Sequence, residues 1–162
     1  MSKDDIHVPE QRINYSKAAP EAYHALSAMQ RYVDEKIQLP KPLLELVRTR
    51  ASQINGCAYC LDMHTKDARA SGETEQRLYA LDAWRESPFY TDKERAALAW
   101  TEAVTLISQS HVPDELYQET RKYFDEKELV ELTMAIIMIN SWNRMSVSMR
   151  TLAGTYQPRS KN

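Results

Sequence analysis

Both cysteines of the chain, Cys57 and Cys60, fall within Gly56-Cys57-Ala58-Tyr59-Cys60-Leu61-Asp62-Met63-His64, together with one of its four histidines. Residues three and four apart on a helix are neighbours, so on a helix Cys57, Cys60 and His64 share one face. A thiol in the first turn of a helix sees the positive end of the backbone dipole and unpaired amide protons, and both favour thiolate. Free cysteine titrates at about 8.5, and such surroundings bring it down to roughly 3.5–7.5. An adjacent imidazole can take or return the proton. The thiolate then attacks the O–O bond of a hydroperoxide and becomes a sulfenic acid. A second thiol three positions away condenses with that acid to a disulfide before further oxidation. On position alone Cys57, nearer the helix start, is the better attacker. The disulfide must be reduced by an outside dithiol or protein donor through thiol exchange. No flavin or nicotinamide signature is present, so no cofactor is expected.

Proton handling asks for a further acid or base. If the helices on either side of Asn55-Gly56 run antiparallel, Glu45 lies roughly 15 Å back along one and His64 roughly 10 Å along the other, at about 1.5 Å per residue. Glu45 is then within reach of His64 and Cys60, whereas Asp62 points off the cysteine face. Glu45 also has Arg48 three positions on as an alternative partner. A zinc site would need Cys57, Cys60, His64 and a fourth ligand. The chain has no third cysteine, and no second histidine stands nearby in sequence, so no metal is expected.

The elements that must position these groups read as helices. Only three glycines occur, the seven prolines fall mainly at helix boundaries, and no strand-like alternation of useful length is present. The spacing predicts helices over 16–36, 42–54, from Cys57 through 70, from Thr74 through Trp84, from Thr91 through Ile107, over 113–124 and over 126–152. Thr91 and Glu94 have capping-box spacing. The expected fold is all-α, a compact bundle of about six or seven helices. Its expected parts are an irregular arm over 1–14, one domain over 15–153 and a frayed tail over 154–162. The last helix is apolar over much of its circumference, which marks it as core or subunit contact. Asn140, Asn143 and Arg144 interrupt it and are expected to form a structural hydrogen-bond network. His7, His24 and His111 read as ordinary surface or loop residues.

Glu45, Cys57-Ala58-Tyr59-Cys60 and His64, between Ala51-Ser52-Gln53-Ile54-Asn55-Gly56 and Thr65-Lys66-Asp67-Ala68-Arg69, resemble the alkylhydroperoxidase AhpD core of the carboxymuconolactone decarboxylase superfamily. The resemblance runs over about 20–152 and takes in Leu81-Asp82-Ala83-Trp84-Arg85, Glu94-Arg95-Ala96-Ala97-Leu98 and Asn140-Ser141-Trp142-Asn143-Arg144. It implies an AhpD-like helical fold and a thiol peroxidase with peroxiredoxin-type activity. In that mechanism Cys60 attacks, Cys57 resolves, and Glu45 and His64 relay the proton. It also implies a homo-oligomer, a trimer or hexamer. The best-known AhpD proteins carry a second histidine immediately before the attacking cysteine; Tyr59 stands there in this chain, and the relay loses one proton carrier. Lactone decarboxylation, the superfamily's other activity, gives the cysteine pair no part.

Composition narrows the remaining classes. The 21 Lys and Arg nearly balance the 23 Asp and Glu, for a net charge of −2, so no field gathers nucleic acid or an acidic membrane. Met1-Ser2-Lys3-Asp4-Asp5 opens a polar stretch, and the longest purely apolar run is Met134 to Ile139. A cytoplasmic protein without a membrane partner is the expectation. Two readings stand beside the peroxidase: a dithiol whose task is thiol-disulfide exchange, and a redox-sensing oligomer with little peroxide turnover.

Overall fold

The computed structural model describes residues 9–158. Residues 1–8 of the expected arm over 1–14, His7 among them, and residues 159–162 of the expected tail over 154–162 lie outside the described residues. The described chain folds as α1 (Tyr15–Ala18), α2 (Pro20–Glu35), α3 (Lys41–Asn55), α4 (Ala58–Ala70), α5 (Glu75–Tyr79), α6 (Asp92–Thr105), α7 (Ile107–Ser110), α8 (Asp114–Arg121) and α9 (Glu126–Met149). A 3₁₀ turn, Ala80–Ala83, follows α5, and among the described residues there is no strand.

The all-α expectation holds, and among the described residues the count rises to nine because two expected helices are each broken. The first breaks before Pro20: Ala19 takes φ −141°, ψ 73°, since a residue preceding proline is driven out of the helical region. Pro20 then opens α2, where its missing N–H costs nothing. The other break is at Leu106, φ −99°, ψ 38°, and the Ser110 hydroxyl donates to the Ala103 carbonyl there at 2.7 Å. The last helix stops three residues short of Leu152, with Arg150 in the left-handed region at φ 54°.

Start and stop signals set the frame. Thr91 and Glu94 form the expected capping box on α6, and Asp125 with Glu128 forms a second on α9. Gly56 ends α3 in the left-handed conformation, φ 63°, and the Cys57 N–H donates back to the Ser52 carbonyl at 3.0 Å. That six-to-one bond closes a helix terminus that only glycine makes without strain, and it delivers Cys57 directly to the start of α4.

Helix α3 is central, packing against α4, α6 and α9. Its Leu43, Leu44 and Val47 join Val33 of α2, Ala97 and Trp100 of α6, Phe124, and Leu132, Ile136 and Met138 of α9 in the main core. Leu46, on another face, packs with Leu81, Trp84, Tyr90 and Leu98. Leu46, Leu81 and Leu98 are wholly enclosed, each stabilising the fold by about 1.5–3 kcal/mol. The C-terminal end of α3 is fixed instead by polar groups. The Asn55 amide donates to Asn140 Oδ1 at 3.0 Å and to Asn143 Oδ1 at 2.9 Å. Asn143 donates to Ser52 Oγ at 3.0 Å, Asn140 to Thr105 Oγ1 at 3.0 Å, and Arg144 to Asn140 Oδ1 at 2.9 Å. The expected network therefore exists, and its task is to hold the turn before Cys57 against α9 and α6. His24 and His111 are exposed.

No helix among the described residues is long and apolar enough to cross a membrane. After α9, polar bonds join residues 154–156 to α4. Gly154 N–H donates to Asp62 Oδ2 and Lys66 Nζ to the Tyr156 carbonyl, each at 3.0 Å.

Candidate active site

Cys57 is the N-cap of α4, with extended backbone at φ −86°, ψ 95°, and its sulfur accepts from the Cys60 N–H at 3.3 Å. A cap residue faces the free amides of the first turn, so the Gly56 terminus brings Cys57 and Cys60 together. The two form a disulfide with their Cα atoms 5.3 Å apart. Both residues are 1% exposed, enclosed with Ala51 and Ile139 and with half-buried Tyr59 packed against them.

One turn beyond Cys60, His64 is buried, and its Nδ1 lies 2.9 Å from Oε2 of buried Glu45 on α3. The other oxygen, Oε1, accepts from Arg48 Nη1 at 2.7 Å, and Arg48 Nη2 reaches Asp34 Oδ1 of α2 at 2.6 Å. Burial alone would raise the Glu45 carboxyl, but the His64 hydrogen bond and the His64 and Arg48 charges outweigh it and hold the group below its ordinary value. An ionised carboxylate only accepts, so Nδ1 carries the proton and Nε2 is the nitrogen left free to act as base.

The four residues picked out by sequence thus fall into two bonded pairs, Cys57 with Cys60 and Glu45 with His64, joined by the one-turn spacing of Cys60 and His64 on α4. Both sequence-level partners of Glu45 are realised at once. Asp62 lies off this set, paired with Lys66 Nζ at 2.8 Å. Burial pushes the Tyr59 phenol up, and the nearby Tyr15 and Tyr23 add to that, so it is no substitute for an imidazole as a proton carrier near neutrality. Sequence reasoning missed Asp67 and Tyr156. Asp67 stands three positions past His64, a spacing that could have nominated it. Tyr156, 89 positions further on, gives no such signal.

One donor atom each from Glu45, His64 and Asp67 lies within 4.8 Å of the others. The donors are already engaged, by Arg48 and His64 on Glu45 and by the Tyr156 hydroxyl on Asp67. A guanidinium at the rim also opposes a cation, so the set suits proton transfer better than metal binding.

The sequence pattern of the Carboxymuconolactone decarboxylase family matches residues 20–103. The chain belongs to that family. The uncharacterised protein YdfG of Bacillus subtilis strain 168 is 46% identical over 145 residues, 90% of this chain and 98% of YdfG. The crystal structure of ATU0492 from Agrobacterium tumefaciens superposes with a TM-score of 0.88 at 44% identity, over 91% of this chain and all of that one. ATU0492 is of unknown function, with a suggested role in antioxidant defence as an AhpD protein. The debrominase Bmp8 has the same fold at a TM-score of 0.76 and 24% identity, over 86% of this chain and 74% of its own. Family and AhpD-like fold agree with the sequence resemblance, and the same fold also carries a debrominase.

Proposed function

We propose that the protein is a thiol peroxidase that reduces organic hydroperoxides through Cys60 and Cys57. The observation that carries this reading is a cysteine pair already joined as a disulfide, one helical turn from an imidazole whose Nδ1 is bound to a buried carboxylate. In the reduced enzyme His64 Nε2 takes the Cys60 proton, and the thiolate attacks the peroxide oxygen distal to carbon. The O–O bond breaks, leaving Cys60 sulfenic acid and an alkoxide, and His64 returns its proton to the alkoxide to give the alcohol. Cys57 then attacks the sulfenic sulfur; its thiol proton leaves with the hydroxyl as water, and the disulfide forms. Two electrons pass from the thiols to the peroxide, and a dithiol donor restores them by exchange.

Cys60 is assigned the attack because it stands four residues from His64 within the helix, whereas Cys57 is the cap, seven residues away. Enclosure of the sulfurs favours a small substrate and a small or narrow-tipped donor over broad protein contact. Copies of the chain are inferred to associate through the outer face of α9, where Val130 and Ile137 are exposed. Consumption of cumene hydroperoxide with dithiothreitol as donor tests the assignment. Cys60→Ser is expected to lower the rate to the uncatalysed background, and peroxide consumption unchanged in that variant would overturn it.

A further inference from the structure

The pocket around His64 holds a second carboxylate that the mechanism above does not use. Asp67 follows His64 by three residues on α4, so the two side chains are neighbours on one helix face. An Asp67 oxygen lies within 4.8 Å of both a His64 ring nitrogen and a Glu45 oxygen. Asp67 does not point there unaided. The Tyr156 hydroxyl is 2.7 Å from its Oδ1 and 2.9 Å from its Oδ2, donating its single proton between them. Tyr156 in turn is anchored through its carbonyl to Lys66 Nζ, and Gly154 two residues earlier through its N–H to Asp62. Lys66 also pairs with Asp62 at 2.8 Å, which closes the clamp on α4. The C-terminal stretch is therefore laid over the relay by bonds to three residues of the same helix.

We propose that Asp67, aimed by Tyr156, is a positioning residue of the relay, whose carboxylate steadies the imidazolium formed when His64 takes the Cys60 proton. The charged groups around the ring come from α3 (Glu45 and Arg48), from α2 (Asp34, through Arg48) and from α4 itself (Asp67). Ionised, these are three carboxylates facing one guanidinium. A proton arriving on His64 lessens that excess, so the electrostatics favour the thiolate–imidazolium pair over the neutral thiol and imidazole. Removing Asp67 removes part of that preference. Burial pushes the Asp67 carboxyl up, the Tyr156 hydrogen bond pulls it back, and the Glu45 charge pushes it up again. On balance the carboxyl stands above its ordinary value, and the Tyr156 hydrogen bond limits that rise.

This inference deepens the peroxidase reading and rests on it for the role of the relay, but its test consumes no peroxide. In a Cys57→Ser background, thiolate ultraviolet absorbance followed against pH reports the ionisation of Cys60 alone, without any reagent having to enter the packing. Asp67→Asn is expected to move the midpoint upward by roughly half a unit, about a threefold loss of thiolate below the midpoint. Tyr156→Phe keeps the ring and is expected to move it in the same direction by less. A purely structural role would lower thermal stability and leave the midpoint in place. Midpoints unmoved or lowered in Tyr156→Phe and in Asp67→Asn overturn the proposal. Tyr156 is half-buried at the edge of the fold, so its variant carries the test if Asp67→Asn does not fold. A shifted midpoint with no peroxide turnover in the parent protein would instead overturn the peroxidase reading and leave this one standing.

Discussion

Replacing Glu45 by Gln tests the relay at the atom that sets its polarity. The amide is nearly isosteric, so packing is kept while the charge and one acceptor are lost. The amide oxygen satisfies Arg48, which leaves the amide N–H₂ facing His64 Nδ1, now 2.9 Å from a carboxylate oxygen. Nδ1 must then accept, the ring proton moves to Nε2, and the imidazole can no longer take a proton from Cys60. Loss of a general base costs about 10²–10⁴-fold, about 3–5 kcal/mol of barrier. Two charge-assisted bonds fall to neutral strength at about 1 kcal/mol each. For a chain of this length that total, about 2 kcal/mol, corresponds to a melting temperature lower by about 4–8 °C. The stability difference also has a pH signature. The folded protein holds Glu45 below its ordinary 4.5, so its stabilisation is complete above that value and is lost as pH falls through the lower folded one. The melting temperatures of parent and variant are therefore expected to converge in acid. Stopped-flow mixing of reduced protein with cumene hydroperoxide measures the rate, and calorimetry across pH measures the rest. A folded Glu45→Gln variant that forms its disulfide at the parental rate would refute the relay.

Two further outcomes are expected. Asn143 is 1% exposed and bonds Asn55 and Ser52; Asn143→Ala should lower unfolding free energy by about 1–3 kcal/mol by removing two buried hydrogen bonds, although Asn55 keeps Asn140 and Ser52 keeps the Arg48 carbonyl, and an unchanged denaturation midpoint would contradict the network's structural role. Ile137, 41% exposed beside Val130 at 64%, lies on the face inferred to meet a second copy; Ile137→Glu should lower the mass measured by sedimentation, and an unaltered mass would exclude that face.

Local signals made much of this molecule readable in advance. Gly56 and the Cys57-x-x-Cys60 spacing fixed a helix stop followed at once by a helix start, because both depend on bonds within six residues. Thr91 with Glu94 marked α6 for the same reason. Glu45 was legible through the family resemblance and through an antiparallel pairing of α3 and α4, a geometric step that the Asn55-Gly56 turn made short. The breaks at Ala19 and Leu106 were harder: a proline is compatible with the first turn of one helix or with a break between two. At Leu106 no breaker stands in the sequence at all. Tyr156 was not legible, since what places it on Asp67 is a set of surface bonds between chain regions about ninety residues apart.

The enclosure of the disulfide bears on how the donor of the proposed cycle would reach it. With both cysteines 1% exposed, no incoming thiolate can line up on the S–S axis until Tyr59 or the first turn of α4 swings aside. On the proposed peroxidase cycle, reduction would then be a two-stage event, an opening followed by exchange. At high donor concentration its speed levels off at the opening frequency, whatever the donor's chemistry. Donors that differ widely in reducing power would share one ceiling, and only at low concentration would their individual preferences emerge.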